Sequence, residues 1–194
     1  LALGVDHIIV DNLDEIDFLA QIADELGVTP RVLLRLAPAI DPHTHRYMAT
    51  GVAESKFGLP IQTGMALDAA RIVTRHSPRL ALVGLHVHIG SQVFELEPYR
   101  DAVAALIDFA QELQDAVGFE LQELDLGGGW GVAYTEEQAT LDVNHVAQTI
   151  IDSLATRHSP LATRLLFEPG RALVAQSAVA LYTVGAIKEI RGIR

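Results

Sequence analysis

The sequence predicts an α/β fold on a parallel sheet, and two patterns predict it. Short apolar runs alternate with amphipathic segments from one end of the chain to the other, which is the signature of strand–helix–strand units. Polar residues and glycines collect just after the apolar runs, where α/β folds place their functional loops. Residues 5–10 read as a short buried strand closed by Asp11 and Asn12. Over 13–26 the apolar positions Ile16, Leu19, Ala20, Ile22, Ala23 and Leu26 fall at helical spacing, and Gly27 is placed to end the helix. A second strand spans 32–36, after which 37–60 carries Pro38, Pro42, Gly51, Gly58 and Pro60 among polar residues and reads as a long functional loop. Helices are expected over 62–76, 97–116 and 142–157, and strands over 80–88, 120–126 and 164–168; a last strand-like segment covers 178–190.

This order of about five strands and four helices fits an open doubly wound sheet or a (β/α)8 barrel. The barrel is favoured by the polar residues at strand ends: Asp11, Asn12, Arg35, His86, His88, Gly127 to Gly129, and Glu168 to Arg171. Five strands do not close an eight-stranded barrel, so either further strands precede these or the fold differs.

With 194 residues, 49% hydrophobic side chains and a mean hydropathy of +0.26, the chain has the makings of one well-packed domain. A net charge of −11 argues against a nucleic-acid surface. No apolar run approaches the ~18 residues of a membrane span, so no membrane partner is expected and a cytoplasmic address is the default. The absence of cysteine rules out disulfides and thiolate metal ligands. The chain opens on Leu1 within a pattern already under way, which reads as a fragment.

The strand ends carry the chemistry. Gly127-Gly128-Gly129 lets backbone approach a ligand and offers N–H groups to anionic oxygens; a tight turn without ligand is the plain alternative. Gly170 stands at the next strand end, and barrels grip phosphate with their last two strand-end loops. Arg171 suits phosphate or carboxylate, or an ordinary surface ion pair. Glu168 suits the nitrogen of a pyridine ring, which it would keep protonated, or a structural buried carboxylate. His86 and His88 lie two apart on a strand and share a face. Metal ligation, ring stacking and a satisfied core are all open to them; stacking by His88 with a hydroxyl from Ser91 toward phosphate is preferred, and no metal site is expected.

Lys56-Phe57-Gly58, His86-Val87-His88-Ile89-Gly90-Ser91-Gln92, Leu124-Asp125-Leu126-Gly127-Gly128-Gly129 and Glu168-Pro169-Gly170-Arg171 occur in one order. Taken together they resemble the fold-type III pyridoxal-phosphate decarboxylases, most closely the branch that acts on diaminopimelate. Asp41-Pro42-His43-Thr44-His45 ahead of Ser55 also favours that branch. The resemblance implies pyridoxal 5'-phosphate as cofactor, with His88 stacked on its ring, Ser91, Gly127, Gly128, Gly129 and Gly170 holding its phosphate, and Glu168 paired with its ring nitrogen. It further implies Arg171 as a phosphate or substrate ligand, Arg35 as an arginine near the cofactor, and Lys56 near a subunit interface. The family's lysine that forms a Schiff base lies in a Tyr-Ala-x-Lys-Ala context; Lys56 and Lys188, the only lysines here, do not match it.

The implied fold is therefore a partial (β/α)8 TIM barrel of the alanine racemase-like type, roughly strands four to eight, over residues 1–176. Residues 177–194 would start a C-terminal β-domain. The implied activity of the intact parent is decarboxylation of meso-2,6-diaminopimelate to L-lysine within a homodimer, the isolated segment being inactive and prone to self-association. Alternatives are a sister enzyme for ornithine, arginine or carboxynorspermidine, a catalytically silent cofactor-binding homologue, or a phosphate-binding barrel enzyme of sugar or indole metabolism.

Overall fold

The computed structural model describes residues 1–40, 56–138, 140–156 and 163–189. The expected Asp41 to His45 loop lies outside them. Strand β1 (His7–Val10) leads into helix α1 (Asp14–Leu26), then β2 (Arg31–Ala37), the two-residue β3 (Leu59–Pro60), α2 (Met65–Arg75) and β4 (Ala81–Val87). Helix α3 (Glu97–Val117), β5 (Glu123–Asp125), α4 (Val143–Thr156), β6 (Arg164–Leu166) and α5 (Gly170–Val174) complete the order.

Local sequence sets the helix limits. The Asn12 side chain accepts the Glu15 N–H at 3.1 Å while the Glu15 carboxylate accepts the Asp11 N–H at 2.8 Å, a reciprocal arrangement like a capping box at the start of α1. It also fixes the backbone of Asp11. Gly27 and Gly118, at φ 64° and 70°, end α1 and α3 in the left-handed conformation that other residues adopt at a cost. Tyr99, Ala102, Val103, Leu106, Phe109, Ala110 and Leu113 recur every three or four residues and form the buried stripe of α3.

Every strand pair is parallel, and the sheet order β1-β2-β4-β5-β6 follows the chain, with β3 attached beside β2. One apolar cluster joins Val32, Leu34, Leu36, Leu85, Val87 and Leu124 to residues of all four crossover helices: Ile16 and Ala20 of α1, Ala69 and Val73 of α2, Leu106 of α3, and Val146 and Ile150 of α4. A sheet in chain order with its crossover helices on one face has the winding of a barrel wall. A doubly wound sheet would reverse its order and carry helices on both faces.

Because side chains alternate along a strand, the residues between these apolar positions face the other way. That second face carries the sheet's polar side chains, with Ile9 and Leu33 between them. Glu123, 1% exposed, accepts hydrogen bonds from Arg31 at 2.6 Å and Arg164 at 3.1 Å, all three near the N-terminal ends of their strands. Gly84 stands opposite Glu123, and a Cβ there would run into the Glu123 carbonyl oxygen and come within 2.9 Å of its Cβ, so glycine lets β4 and β5 approach closely. A register shift between Val32 and Leu33 lets β2 pair with Leu82 on one side of it and Gly84 on the other.

The expected strand over 178–190 is corrected: residues 178–189 form neither helix nor strand. Val179, Leu181, Tyr182 and Val184 are 77–91% exposed, and alternation alone makes no strand without a neighbour to accept its backbone hydrogen bonds. Helix α5, which the sequence pattern did not indicate, starts at Gly170, and β3 emerges inside the region read as loop.

Replacing Arg31 by Ala leaves the buried Glu123 carboxylate with Arg164 as its remaining arginine. The expected loss is about 2–3 kcal/mol, measured by urea denaturation. The double variant Arg31→Ala/Glu123→Ala should lose less than the sum of the two single changes.

Candidate cofactor site at the strand ends

At the opposite end of the sheet, Ile9, Asp11, Arg35, His86, His88 and Glu168 line one pocket. Register explains the meeting: Arg35 pairs with His86, and His86 with Asp125, so three polar side chains from three adjacent strands stand at one level. Asp11 follows β1, and Glu168 follows β6.

Arg35 is held from two sides. Its Nη1 donates to Asp11 Oδ1 at 2.8 Å, and its guanidinium lies 4.8 Å from the centroid of the Phe57 ring. Gly58 donates its N–H to the same Asp11 oxygen at 3.1 Å, at a φ of 76° and with the Leu36 backbone 3.1 Å from where a Cβ would sit. Phe57-Gly58 therefore acts as a brace for the Arg35–Asp11 pair. Lys56 Nζ also lies over the Phe57 ring, 5.1 Å from its centroid, and Lys56 does not line the pocket.

His86 is 3% exposed, and among the described residues neither ring nitrogen has a hydrogen-bond partner. Its Nε2 stands 3.6 Å from Glu168 Oε1, an ion-pair separation longer than a hydrogen bond. One donor atom each from His86, Asp125 and Glu168 lie within 4.8 Å of one another. The Arg35 guanidinium on the same pocket wall opposes adding a metal cation to this trio. Neighbouring His86, ahead of the smaller influences of His88 and Arg35, holds the Glu168 carboxyl below its usual range against the effect of burial. Burial pushes the Asp125 carboxyl up, opposed by the Gly127 N–H that it accepts at 2.9 Å. Burial, with Arg35 and His86 adding to it, lowers the His88 imidazole.

The glycines serve the loops before they serve any ligand. A Cβ on Gly128 would run into the carbonyl oxygen of Glu168, and one on Gly129 into that of Gly90, with the Ser91 Cα close behind. The loops after β4, β5 and β6 thus interlock backbone to backbone. Two of the N–H groups expected to face phosphate turn inward here: Gly127 to Asp125, and Gly128 to His88 Nδ1 at 3.3 Å. The second contact makes Nδ1 an acceptor and sets the ring's orientation. Around Gly170 no atom lies within 4 Å of a Cβ position, so space remains beside that loop.

Of the expected residues, Arg35, His88 and Glu168 meet in the pocket. Ser91, Gly127, Gly128, Gly129 and Gly170 belong to the adjoining loops. Arg171 is exposed, donates to the Tyr134 hydroxyl at 2.5 Å and does not line this pocket. Asp125 joins the site without having been singled out, while Asp11 and His86, named among the strand-end polar residues without a cofactor role, are brought into it.

The residues at the pocket fit a pyridine ring. A half-exposed carboxylate faces the pocket, an imidazole with its charge suppressed forms part of the wall, and a buried histidine keeps two unpaired ring nitrogens beside the carboxylate.

The pH response of folding follows from these shifts. His88 binds a proton less readily when folded, so its contribution is intact above its ordinary value of 6.5 and is lost as pH falls below it. Glu168 acts in the same direction at lower pH, its contribution being present above 4.5 and lost on falling through its folded value. Asp125 has the opposite sign: its contribution is present at acid pH and fades as pH rises from 3.8 through its folded value. Between about pH 7.5 and 5, the melting temperature should therefore fall through His88 first. The variant His88→Gln should show a flatter profile over the same range by thermal denaturation.

Residues 1–175 match the family described as pyridoxal-dependent decarboxylase, pyridoxal binding domain. Among curated relatives, a diaminopimelate decarboxylase of Corynebacterium efficiens is 38% identical over 190 residues, covering 96% of this chain and 41% of the relative. One of Bacillus subtilis is 36% identical over 201 residues, covering 100% and 46%. The chain thus spans less than half the length of these relatives. A solved diaminopimelate decarboxylase from Helicobacter pylori complexed with L-lysine superposes with a TM-score of 0.78 at 34% identity, over 91% of this chain and 42% of that one. Another, from M. jannaschii in co-complex with L-lysine, gives 0.79 at 31%, over 89% and 39%. A chain whose strand ends gather these residues, and whose first 175 positions match this domain, belongs to the pyridoxal-dependent decarboxylases.

Proposed function

We propose that this chain forms the larger part of the cofactor site of a decarboxylase that converts meso-2,6-diaminopimelate to L-lysine, with strands four to eight of the barrel supplied by residues 1–176. The observation that carries this reading is the convergence of Glu168, His88 and Arg35 on one pocket at the C-terminal ends of parallel strands. The choice of substrate is supported by relatives named diaminopimelate decarboxylase at 36% and 38% identity and by the separate lysine complexes of the Helicobacter pylori and M. jannaschii enzymes. A homodimer, a cytoplasmic address and a β-domain from residue 177 onward complete the proposal.

Bound pyridoxal phosphate supplies an electron sink for the pair left on the substrate carbon when carbon dioxide departs. The side chains make that sink usable. Glu168, held ionised beside His86, would keep a proton on the pyridine nitrogen. His88 stays neutral through burial, so its flat ring would stack on the pyridine without adding charge. Arg35, fixed by Asp11 and Phe57, contributes a stationary positive charge to the same wall. Ser91, Gly129 and Gly170 would hold the phosphate from the loops that adjoin the pocket. Arg171 would join them by leaving Tyr134.

Titration of the purified chain with pyridoxal phosphate, followed by absorbance, should show saturable binding. Glu168→Ala should weaken it about tenfold or more. A folded chain that fails to bind, or a Glu168→Ala variant with unchanged affinity, would contradict the cofactor reading. In the intact protein, release of carbon dioxide from meso-diaminopimelate, compared with ornithine and arginine, tests the choice of substrate.

A further inference from the structure

His86 stands at the centre of the polar level of the sheet, paired in register with Arg35 on one side and Asp125 on the other. A 3% exposed imidazole with no hydrogen bond at either nitrogen is costly, since a buried polar atom without a partner forfeits the hydration it had in the unfolded chain. A purely structural histidine would be expected to satisfy at least one nitrogen. Instead Nε2 is aimed at Glu168 Oε1 across 3.6 Å, and closing the gap by roughly half an ångström would form a charge-assisted hydrogen bond.

Five groups of possible charge face His86: Arg35 from β2, Asp11 following β1, His88 on its own strand, Asp125 from β5, and Glu168 following β6. The cations Arg35 and, when protonated, His88 oppose a charge on the ring. The acids Asp125 and Glu168 favour it. Asp125 is buried, anchored by the Gly127 N–H, and has no room to swing away. Glu168 is half-exposed and borders the pocket, so it is the partner free to adjust.

We propose that His86 is a positioning residue for Glu168: it donates from Nε2 to the Glu168 carboxylate, with Asp125 as the anchored acid behind it, and so holds that carboxylate aimed into the pocket. The consequence for cofactor binding rests on the function proposed above; the coupling of His86 to Glu168 does not. Among the groups that act on the Glu168 carboxyl, His86 has the largest influence, holding it below its usual range. His86 would therefore act on a bound ring only through Glu168, which separates its role from that of His88.

The test uses carbon-13 NMR of the chain labelled in its glutamate carboxyls, with the Glu168 signal assigned from Glu168→Gln. In His86→Leu the Glu168 titration midpoint should rise by about one pH unit or more relative to wild type. His86→Gln, which keeps a donor near the Nε2 position but carries no charge, should give a smaller rise. Pyridoxal phosphate affinity measured on the same samples should fall in His86→Leu and recover in part in His86→Gln. An unchanged Glu168 midpoint in both folded variants overturns the proposal. Should His86→Leu fail to fold, the comparison of His86→Gln with wild type decides it by the same criterion. A wild-type chain that shows the coupling and does not bind pyridoxal phosphate would sink the cofactor reading and leave the positioning role standing.

Discussion

In-register parallel pairing is the constraint on which everything else here depends. Because Arg35, His86 and Asp125 are register partners on three neighbouring strands, they stand side by side at one level of the sheet. Because side chains alternate, the same register sends Leu34, Leu36, Leu85, Val87 and Leu124 to the opposite face under the helices. A slip of one residue in β4 would exchange His86 for Leu85, which would bury a histidine beneath the helices and remove the centre of the site. The hydrophobic packing of α1 to α4 thus fixes the chemistry on the other face. The same alternation places a second polar level, Arg31 with Glu123 and Arg164, near the strand starts, where it serves stability.

Above the sheet, precision comes from backbone contact. Gly128 lies against the Glu168 carbonyl and Gly129 against the Gly90 carbonyl, so the loops after β4, β5 and β6 have little freedom to move independently. The Asn12–Glu15 cap fixes Asp11, Asp11 and Phe57 fix Arg35, and the Gly128 N–H orients His88. Asp11, Arg35 and His88 are thereby tied to elements behind them, and such preorganisation lowers the cost of binding.

Much of this was legible in the sequence. Strand and helix order followed from periodicity, and Arg35, His88 and Glu168 stood out because each sits at the end of an apolar run. What stayed hidden depended on register and face. Asp11 read as a turn residue closing the first strand and Asp125 only as part of a glycine-bearing motif, until pairing set Asp125 beside His86 and folding set Asp11 on Arg35. The triple glycine suggested open N–H groups, whereas close packing turns Gly127 and Gly128 toward Asp125 and His88. The alternation over 178–190 looked like a strand, yet residues 178–189 have no neighbour to pair with among the described residues and lie exposed. The motif suggested Arg171 as a phosphate or substrate ligand, whereas here it lies outside the pocket and donates to the exposed Tyr134 hydroxyl, a contact the sequence did not indicate.

A structure of this chain crystallised with pyridoxal 5'-phosphate tests the central claim most directly. The account predicts the pyridine nitrogen within hydrogen-bonding reach of the Glu168 carboxylate, the ring against His88, and the phosphate toward the loops of Ser91, Gly129 and Gly170. A ligand bound outside the pocket of Arg35, His86 and His88, or a ring nitrogen facing away from Glu168, would contradict it.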